Sequence, residues 1–246
     1  MTRLFVTASR SLAAGAASLL VSAVTAADPL PSETAQIFDY RIVHSAYGDI
    51  GSYRNTIESR GDAVTVRSSL DIAVRFLGIP VYRETGERVE RWHKDRLVGF
   101  QSVTHKNGRT LEVTGQARDD VFVVTGPAGT TEAPRDVRPS NPWTAKMLAA
   151  DTIMSTSTGR IYPARVTGGM ENTVVLNGES RKLRQFEVIS DKPEFLWLDD
   201  RDTPVAFGTE YDGNRVEFIL TRISNGDTST AVVRFDKLAV TAANDP

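Results

Sequence analysis

Val64-Thr65-Val66-Arg67-Ser68-Ser69-Leu70-Asp71-Ile72-Ala73-Val74-Arg75-Phe76 is the stretch that decides the fold. Val64, Val66, Leu70, Ile72, Val74 and Phe76 fall on one face, interrupted only by Ser68. Thr65, Arg67, Ser69, Asp71 and Arg75 fall on the other. Successive side chains of a strand point to opposite faces, so this alternation predicts a strand buried on one side and solvated on the other, as antiparallel sheets permit.

Turn signals surround it at short intervals: Gly48-Asp49, Arg60-Gly61-Asp62, Asn107-Gly108, Asn177-Gly178, Asp212-Gly213 and Asn225-Gly226. Asn-Gly and Asp-Gly supply the positive φ that tight hairpins need. Strands are expected near 37–46, 50–59, 62–77, 80–92, 97–106, 109–117 and 120–125. A second set is expected near 160–167, 172–177, 180–190, 194–199, 204–211, 214–223 and 229–240. Consecutive hairpins make a meander. Residues 126–141, rich in Gly, Pro, Thr and charge, read as a long loop. Residues 142–151 read as one short helix, with Pro142 in its first turn and Trp143, Met147 and Ala150 on one side. The expected architecture is therefore all-β: a single strongly curved antiparallel sheet, half-barrel or barrel, with one short covering helix. Val216, Phe218 and Leu220 should join the inward face.

The N-terminus carries Arg3 and Arg10, an apolar run from Leu12 to Val24, and Val24-Thr25-Ala26, with no acid before Asp28. That pattern is a secretory signal peptide over residues 1–26, too short and Ala-rich for a spanning helix. A mitochondrial transit peptide is the competing reading of an Arg-, Ser- and Ala-rich start. Residues 27–36 read as a flexible lead-in, 37–241 as one β-rich domain and 242–246 as a tail. The expected location is the periplasm, or the medium. Removal of the two arginines would take the formal net charge from −2 to about −4. No basic stripe is present, so phosphate-driven nucleic-acid binding has no support. The chain has no cysteine, which excludes disulfides, thiolate metal sites, thiol nucleophiles and an N-terminal lipoprotein anchor.

The usual catalytic strings are missing, including Gly-x-Ser-x-Gly, Ser-x-x-Lys and His-Glu-x-x-His. Of the three histidines, His93 and His105 would stand more than about 20 Å apart on a hairpin turning near Asp95. His44, His93 and His105 read as strand or turn residues, and no metal or cofactor is expected. Leu198-Asp199-Asp200-Arg201-Asp202-Thr203-Pro204 is a dense acidic stretch, read as a turn rather than a calcium loop. The alternating charges of Tyr82–Trp92 read as a solvated hairpin rather than a binding rim.

Phe38-Asp39-Tyr40-Arg41-Ile42-Val43 followed by Gly48-Asp49-Ile50-Gly51 resembles the opening of an uncharacterised bacterial exported family, domain-of-unknown-function family 6134. Pro142-Trp143, Thr158-Gly159, Trp197-Leu198-Asp199 and Asp212-Gly213 before Val216-Glu217-Phe218-Ile219-Leu220 continue the likeness. The family's Trp-Tyr-Asp and following glycine turn are replaced here by Leu198 and Asp200-Arg201-Asp202. The family in turn is distantly similar to curved-sheet lipoprotein-localisation carriers, which implies an apolar concave face and brings no catalytic residue.

The leading expectation is a non-enzymatic protein that binds an apolar or amphipathic molecule such as a lipid, because one-sided strands and a single helix leave a hollow to fill. Trp92, Trp143 and Trp197, with Phe76 and Phe218, are the expected lining residues. The alternatives are an envelope scaffold or assembly partner without a ligand, and a hydrolase acting on an envelope substrate with His44 or His93 as its base.

Overall fold

A computed structural model describes residues 34–176, 179–211, 213–226 and 233–234. The first strands in chain order are β1 (Thr34–His44), β2 (Gly48–Arg60), β3 (Ala63–Phe76), β4 (Ile79–His93), β5 (Arg96–Lys106), β6 (Arg109–Arg118), β7 (Val121–Gly126) and β8 (Gly129–Pro134). Three short strands follow: β9 (Arg138–Pro139), β10 (Thr152–Met154) and β11 (Ile161–Pro163). The last are β12 (Arg165–Leu176), β13 (Glu179–Ile189), β14 (Pro193–Leu198), β15 (Pro204–Tyr211), β16 (Asn214–Asn225) and β17 (Val233–Arg234).

The main sheet runs β12-β13-β14-β15-β16-β1-β2-β3-β4-β5-β6-β7-β8, with β17 added to β16. Every pair in it is antiparallel. The chain starts in the middle and meanders outward to one edge, β8. It then re-enters at the opposite edge, β12, and meanders back until β16 pairs with β1. Residues 135–164 must therefore cross from edge to edge. Val137, Met147, Ile153 and Met154 of this crossing segment are buried against Phe100, Val113 and Phe122 of the sheet, which defines the sheet's inner face. The edges β8 and β12 do not pair, so the sheet is barrel-like but open.

Its curvature follows from what shares a wall. Ile72 on β3 and Val188 on β13 line one cavity. Six strand spacings separate β3 from β13, about 29 Å in a flat sheet. The inner core includes the fully buried Ile42, Val66, Phe122, Met154 and Leu220. Each such side chain contributes about 1.5–3 kcal/mol by leaving water. A smaller cluster of Leu183, Trp197, Val205, Ala206 and Ile219 covers the outer face of β13–β16.

The Gly48-Asp49-Ile50-Gly51 hairpin has a steric origin. Gly48 turns with φ +71°, and a Cβ on Gly51 would stand 2.0 Å from the Asp71 carbonyl oxygen. That contact is impossible for any other residue without moving β2 off β3.

Several expectations are corrected. The helix expected at 142–151 is one 3₁₀ turn, Ala145–Ala149. Ala150 is already extended, and the Asp151 carbonyl accepts from Ala164 N, so the chain is drawn into the β10–β11 pair before a full helix can nucleate. The expected loop at 126–141 contains β8 and β9. Only Ala133 of β8 is buried, so an edge strand of Thr and Glu left no alternation to read. The strands expected at 160–167 and 172–177 have other bounds: β12 runs unbroken from Arg165 to Leu176, because Gly168-Gly169, at φ +97° and +90°, forms a bulge rather than a turn. Strand β1 begins at Thr34, inside the expected lead-in. Phe76 is 58% exposed: the residue left over by the register shift, Val81, lies on β4, so β3 keeps its alternation, but the β3–β4 hairpin runs on past the core at this point. Of the strand expected at 229–240 only Val233–Arg234 is described; the signal peptide and the tail lie outside the described residues.

Candidate functional site

Four polar residues stand in one transverse row on the inner face. Asn55 on β2 opposes Ser68 on β3, Ser68 opposes Arg88 on β4, and Arg88 opposes Ser102 on β5. Each sits where alternation would put an apolar side chain. The crossing segment fastens onto this row. Asn141 Nδ2 donates to Glu90 Oε1 at 2.7 Å and to Ser68 Oγ at 3.1 Å. Asn141 Oδ1 accepts from the Tyr53 hydroxyl at 2.6 Å and from Asn55 Nδ2 at 3.4 Å. An amide side chain offers two donors and two acceptor sites, so Asn141 is saturated. Ser68 Oγ donates to Asn55 Oδ1 at 2.6 Å, and Ser102 Oγ donates to the Thr156 carbonyl at 2.6 Å. The sequence signal was the interruption at Ser68, together with Asn55 and Ser102 at equivalent inward positions.

Glu90, one pleat along β4 from Arg88, is fully buried. Its Oε2 accepts from the indole N–H groups of Trp92 at 2.9 Å and Trp143 at 3.0 Å. The two indoles meet edge to face, 5.9 Å between centroids. The Arg138 guanidinium covers the Trp92 ring at 4.8 Å. Burial pushes the Glu90 carboxyl up to about 7, against the pull of its three N–H donors and the nearby Arg88 cation. A general acid must reach its substrate. Glu90 lines neither of the cavities described next, so its role is to hold Trp143 and Asn141 to the sheet.

Residues 142–147 form a partition between two cavities. On one side Trp143, Thr144 and Lys146 face a cavity of about 660 Å³, with Phe38, Ile57, Val64 and Trp92 as further walls. Its rim is charged, but Lys94 pairs with Asp62 at 3.5 Å and Lys146 pairs with Asp95. On the other side Pro142 and Met147 face a cavity of about 370 Å³. Tyr53, Leu70 and Ile72 form one wall of it, and Val188, Leu196, Phe207 and Phe218 the opposite wall. Phe207 stacks on Phe218 at 4.7 Å, and Tyr53 packs edge-on to both. Its charged contributors are Glu84, Arg88, Lys192 and Glu194, and Lys192 is exposed, so the cavity reaches the surface there. The Arg88 Nε is buried without a hydrogen-bond partner. Burial, and the neighbouring Asp191 charge, push the Glu194 carboxyl up to about 7.

The five expected lining residues do not come together. Trp92 and Trp143 meet at the larger cavity. Phe218 lines the smaller one. Trp197 is buried on the outer face with Leu183 and Val205, and Phe76 is at the exposed tip of the β3–β4 hairpin. None of the histidines lines either cavity. His44 Nδ1 accepts from Ala46 N, and His105 Nδ1 bonds the Thr110 hydroxyl. The acidic stretch at 198–204 is a turn built on Asp199, whose Oδ1 accepts from Arg201 N and Thr203 N, while Asp202 pairs with Arg184.

The geometry defines a class: an open, barrel-like antiparallel sheet whose inner face is crossed by a latched segment. The chain belongs to the domain-of-unknown-function family DUF6134, whose model matches residues 40–221. Its fold is similar to the crystal structure of a β-barrel-like protein of the domain of unknown function DUF1849 from Brucella abortus, with a TM-score of 0.57 at 10% identity over 80% of this chain and 98% of that one. At that identity the likeness concerns the fold alone. No curated protein matches the chain.

Proposed function

We propose that this protein is an exported, periplasmic or secreted, non-enzymatic binder of an amphipathic molecule, with a lipid as the chemical class. The observation that carries the reading is the smaller cavity: aromatic and aliphatic walls from both arms of the sheet and the crossing segment, with one buried guanidinium N–H left unpartnered. Its volume is at the lower end of small-molecule sites, suited to one acyl chain rather than a whole diacyl lipid. Arg88 supplies a charge-assisted donor for a carboxylate or phosphate head. The larger cavity fits less well, because Lys94 and Lys146 on its rim already have carboxylate partners and Arg138 stacks on Trp92.

Native mass spectrometry of protein purified from its own cell envelope tests this, with a retained lipid-sized mass as the expected result. Phe218→Glu would put a carboxylate among apolar walls and should weaken fatty-acid binding at least about tenfold. Val64→Glu, in the larger cavity, should leave it unchanged. A ligand-free mass, together with no binding across a panel of fatty acids and lysophospholipids, would put the scaffold reading ahead.

A further inference from the structure

The β3–β4 hairpin runs on past the core and ends in Arg75-Phe76-Leu77-Gly78-Ile79-Pro80-Val81-Tyr82-Arg83. Phe76, Leu77, Ile79 and Val81 are 58%, 87%, 66% and 52% exposed. Soluble surfaces rarely cluster large apolar side chains in this way. The turn is two residues long, with Leu77 at φ +51° and Gly78 at φ +81°. The neighbouring β5–β6 turn has the same form but uses Asn107-Gly108, at φ +47° and +79°. Asn tolerates the left-handed region and Leu does not. A leucine is thus held in a strained conformation at the most exposed point of the hairpin, where its side chain does nothing for the core.

This end of the sheet differs from the other. Tyr47 in the β1–β2 turn and Ile189 at the end of β13 are exposed beside the same rim. The turns at the opposite rim present Gly61-Asp62, Lys94-Asp95, Asp119-Asp120 and Asp200-Arg201-Asp202. The apolar tip also has a basic collar. Residues 75–83 and 105–110 contain Arg75, Arg83, Lys106 and Arg109 and no acid. The two turns are bonded together, Asn107 N to the Arg83 carbonyl and Arg83 N to Asn107 Oδ1, both at 2.9 Å. Asp71 offsets Arg83 and Glu84 offsets Lys106. Arg75 and Arg109 have no carboxylate partner among the described residues.

We propose that the β3–β4 tip seats the protein on an anionic lipid bilayer, with Phe76, Leu77, Ile79 and Val81 in the headgroup–acyl boundary and Arg75 and Arg109 at the phosphates. Leu77 stands about 7 Å beyond Arg75 along the strand. That matches the depth to which interfacial elements bury their apolar side chains. The smaller cavity lies at this same end, since Ile72 and Glu84, which line it, form one cross-strand pair on the approach to the tip. Docking goes beyond the ligand reading and stands without it.

The absence of cysteine makes the test direct. Leu77→Cys carries a single environment-sensitive fluorophore at the tip, and Asp120→Cys carries it at the opposite rim. With vesicles of phosphatidylcholine and phosphatidylglycerol, the label at 77 should brighten and shift to the blue, and the label at 120 should not. Ile79→Asp with Val81→Asp in the Leu77→Cys chain should abolish the response while circular dichroism stays unchanged, since both sites are exposed. Arg75→Glu and Arg109→Glu should each weaken vesicle binding at least about fivefold. A silent label at 77, equal responses at both rims, or a blue shift that grows with protein concentration without vesicles would overturn the proposal, the last by pointing to a second copy of the chain. Phe218→Glu should leave the vesicle response intact, which separates docking from cavity binding.

Discussion

Glu90→Leu is expected to lower the unfolding free energy by about 3 kcal/mol or more near pH 5, measured by urea denaturation. Leucine fills similar space but accepts nothing. The indole N–H groups of Trp92 and Trp143 can only donate, and both lose their partner. Asn141 Nδ2 loses one of its two acceptors. The pH dependence gives the sharper test. Folding raises the Glu90 carboxyl from an ordinary 4.5 to about 7, chiefly by burial. Between those values the folded chain binds more protons than the unfolded one. Glu90's contribution is therefore fully present below about 4.5 and is lost as the pH climbs through 7, by roughly 3 kcal/mol. The difference between wild type and Glu90→Leu should accordingly be largest near pH 5 and shrink toward pH 8. A difference that instead grows with pH would mean that the three donors hold the carboxylate ionised and that burial is the weaker effect.

The architecture was legible where one local rule was enough. Alternation from Val64 to Val74 marked an inner face, and Asn107-Gly108 marked a hairpin, because each depends on residues close in sequence. Phe76 keeps the parity of Val74 yet is exposed, because the hairpin outruns the core, and where its cover ends is something the sequence of β3 does not contain. The same gap hid the candidate site. Ser68 was visible only as an interruption; its partners are Asn55 on the preceding strand and Asn141, separated from it by 73 residues. Two-residue periodicity says which face a side chain takes, not what crosses that face. The grouping of three tryptophans and two phenylalanines failed for a related reason. Trp197 alternates with the inward Leu196 and Leu198 and so points outward, a parity that could have been read from Leu196-Trp197-Leu198. The pairing of Trp92 with Trp143 needed the path of the crossing segment, and the meeting of Ile72 with Val188 needed the curvature of the whole sheet.

Asn141→Leu is the second large effect, and it should be local before it is global. Four hydrogen bonds join this side chain to Tyr53, Asn55, Ser68 and Glu90, all on sheet strands. At a net of about 1 kcal/mol each, with an added cost for stranded buried groups, their loss removes about 3–5 kcal/mol of attachment. The sheet ladders do not include Asn141, so β1 to β5 should keep their hydrogen-exchange protection. The amides of the crossing segment, such as Ser140, Met147 and Ala150, are bonded within that segment and should exchange at least about a hundredfold faster through local opening. Because residues 142–147 separate the two cavities, the same opening joins them into one. A ligand matched to the smaller cavity should then bind more weakly and leave faster, although no wall residue has changed. Uniform acceleration across sheet and segment would instead show that the crossing segment and the strands form a single cooperative unit, with Asn141 a core contact rather than a latch.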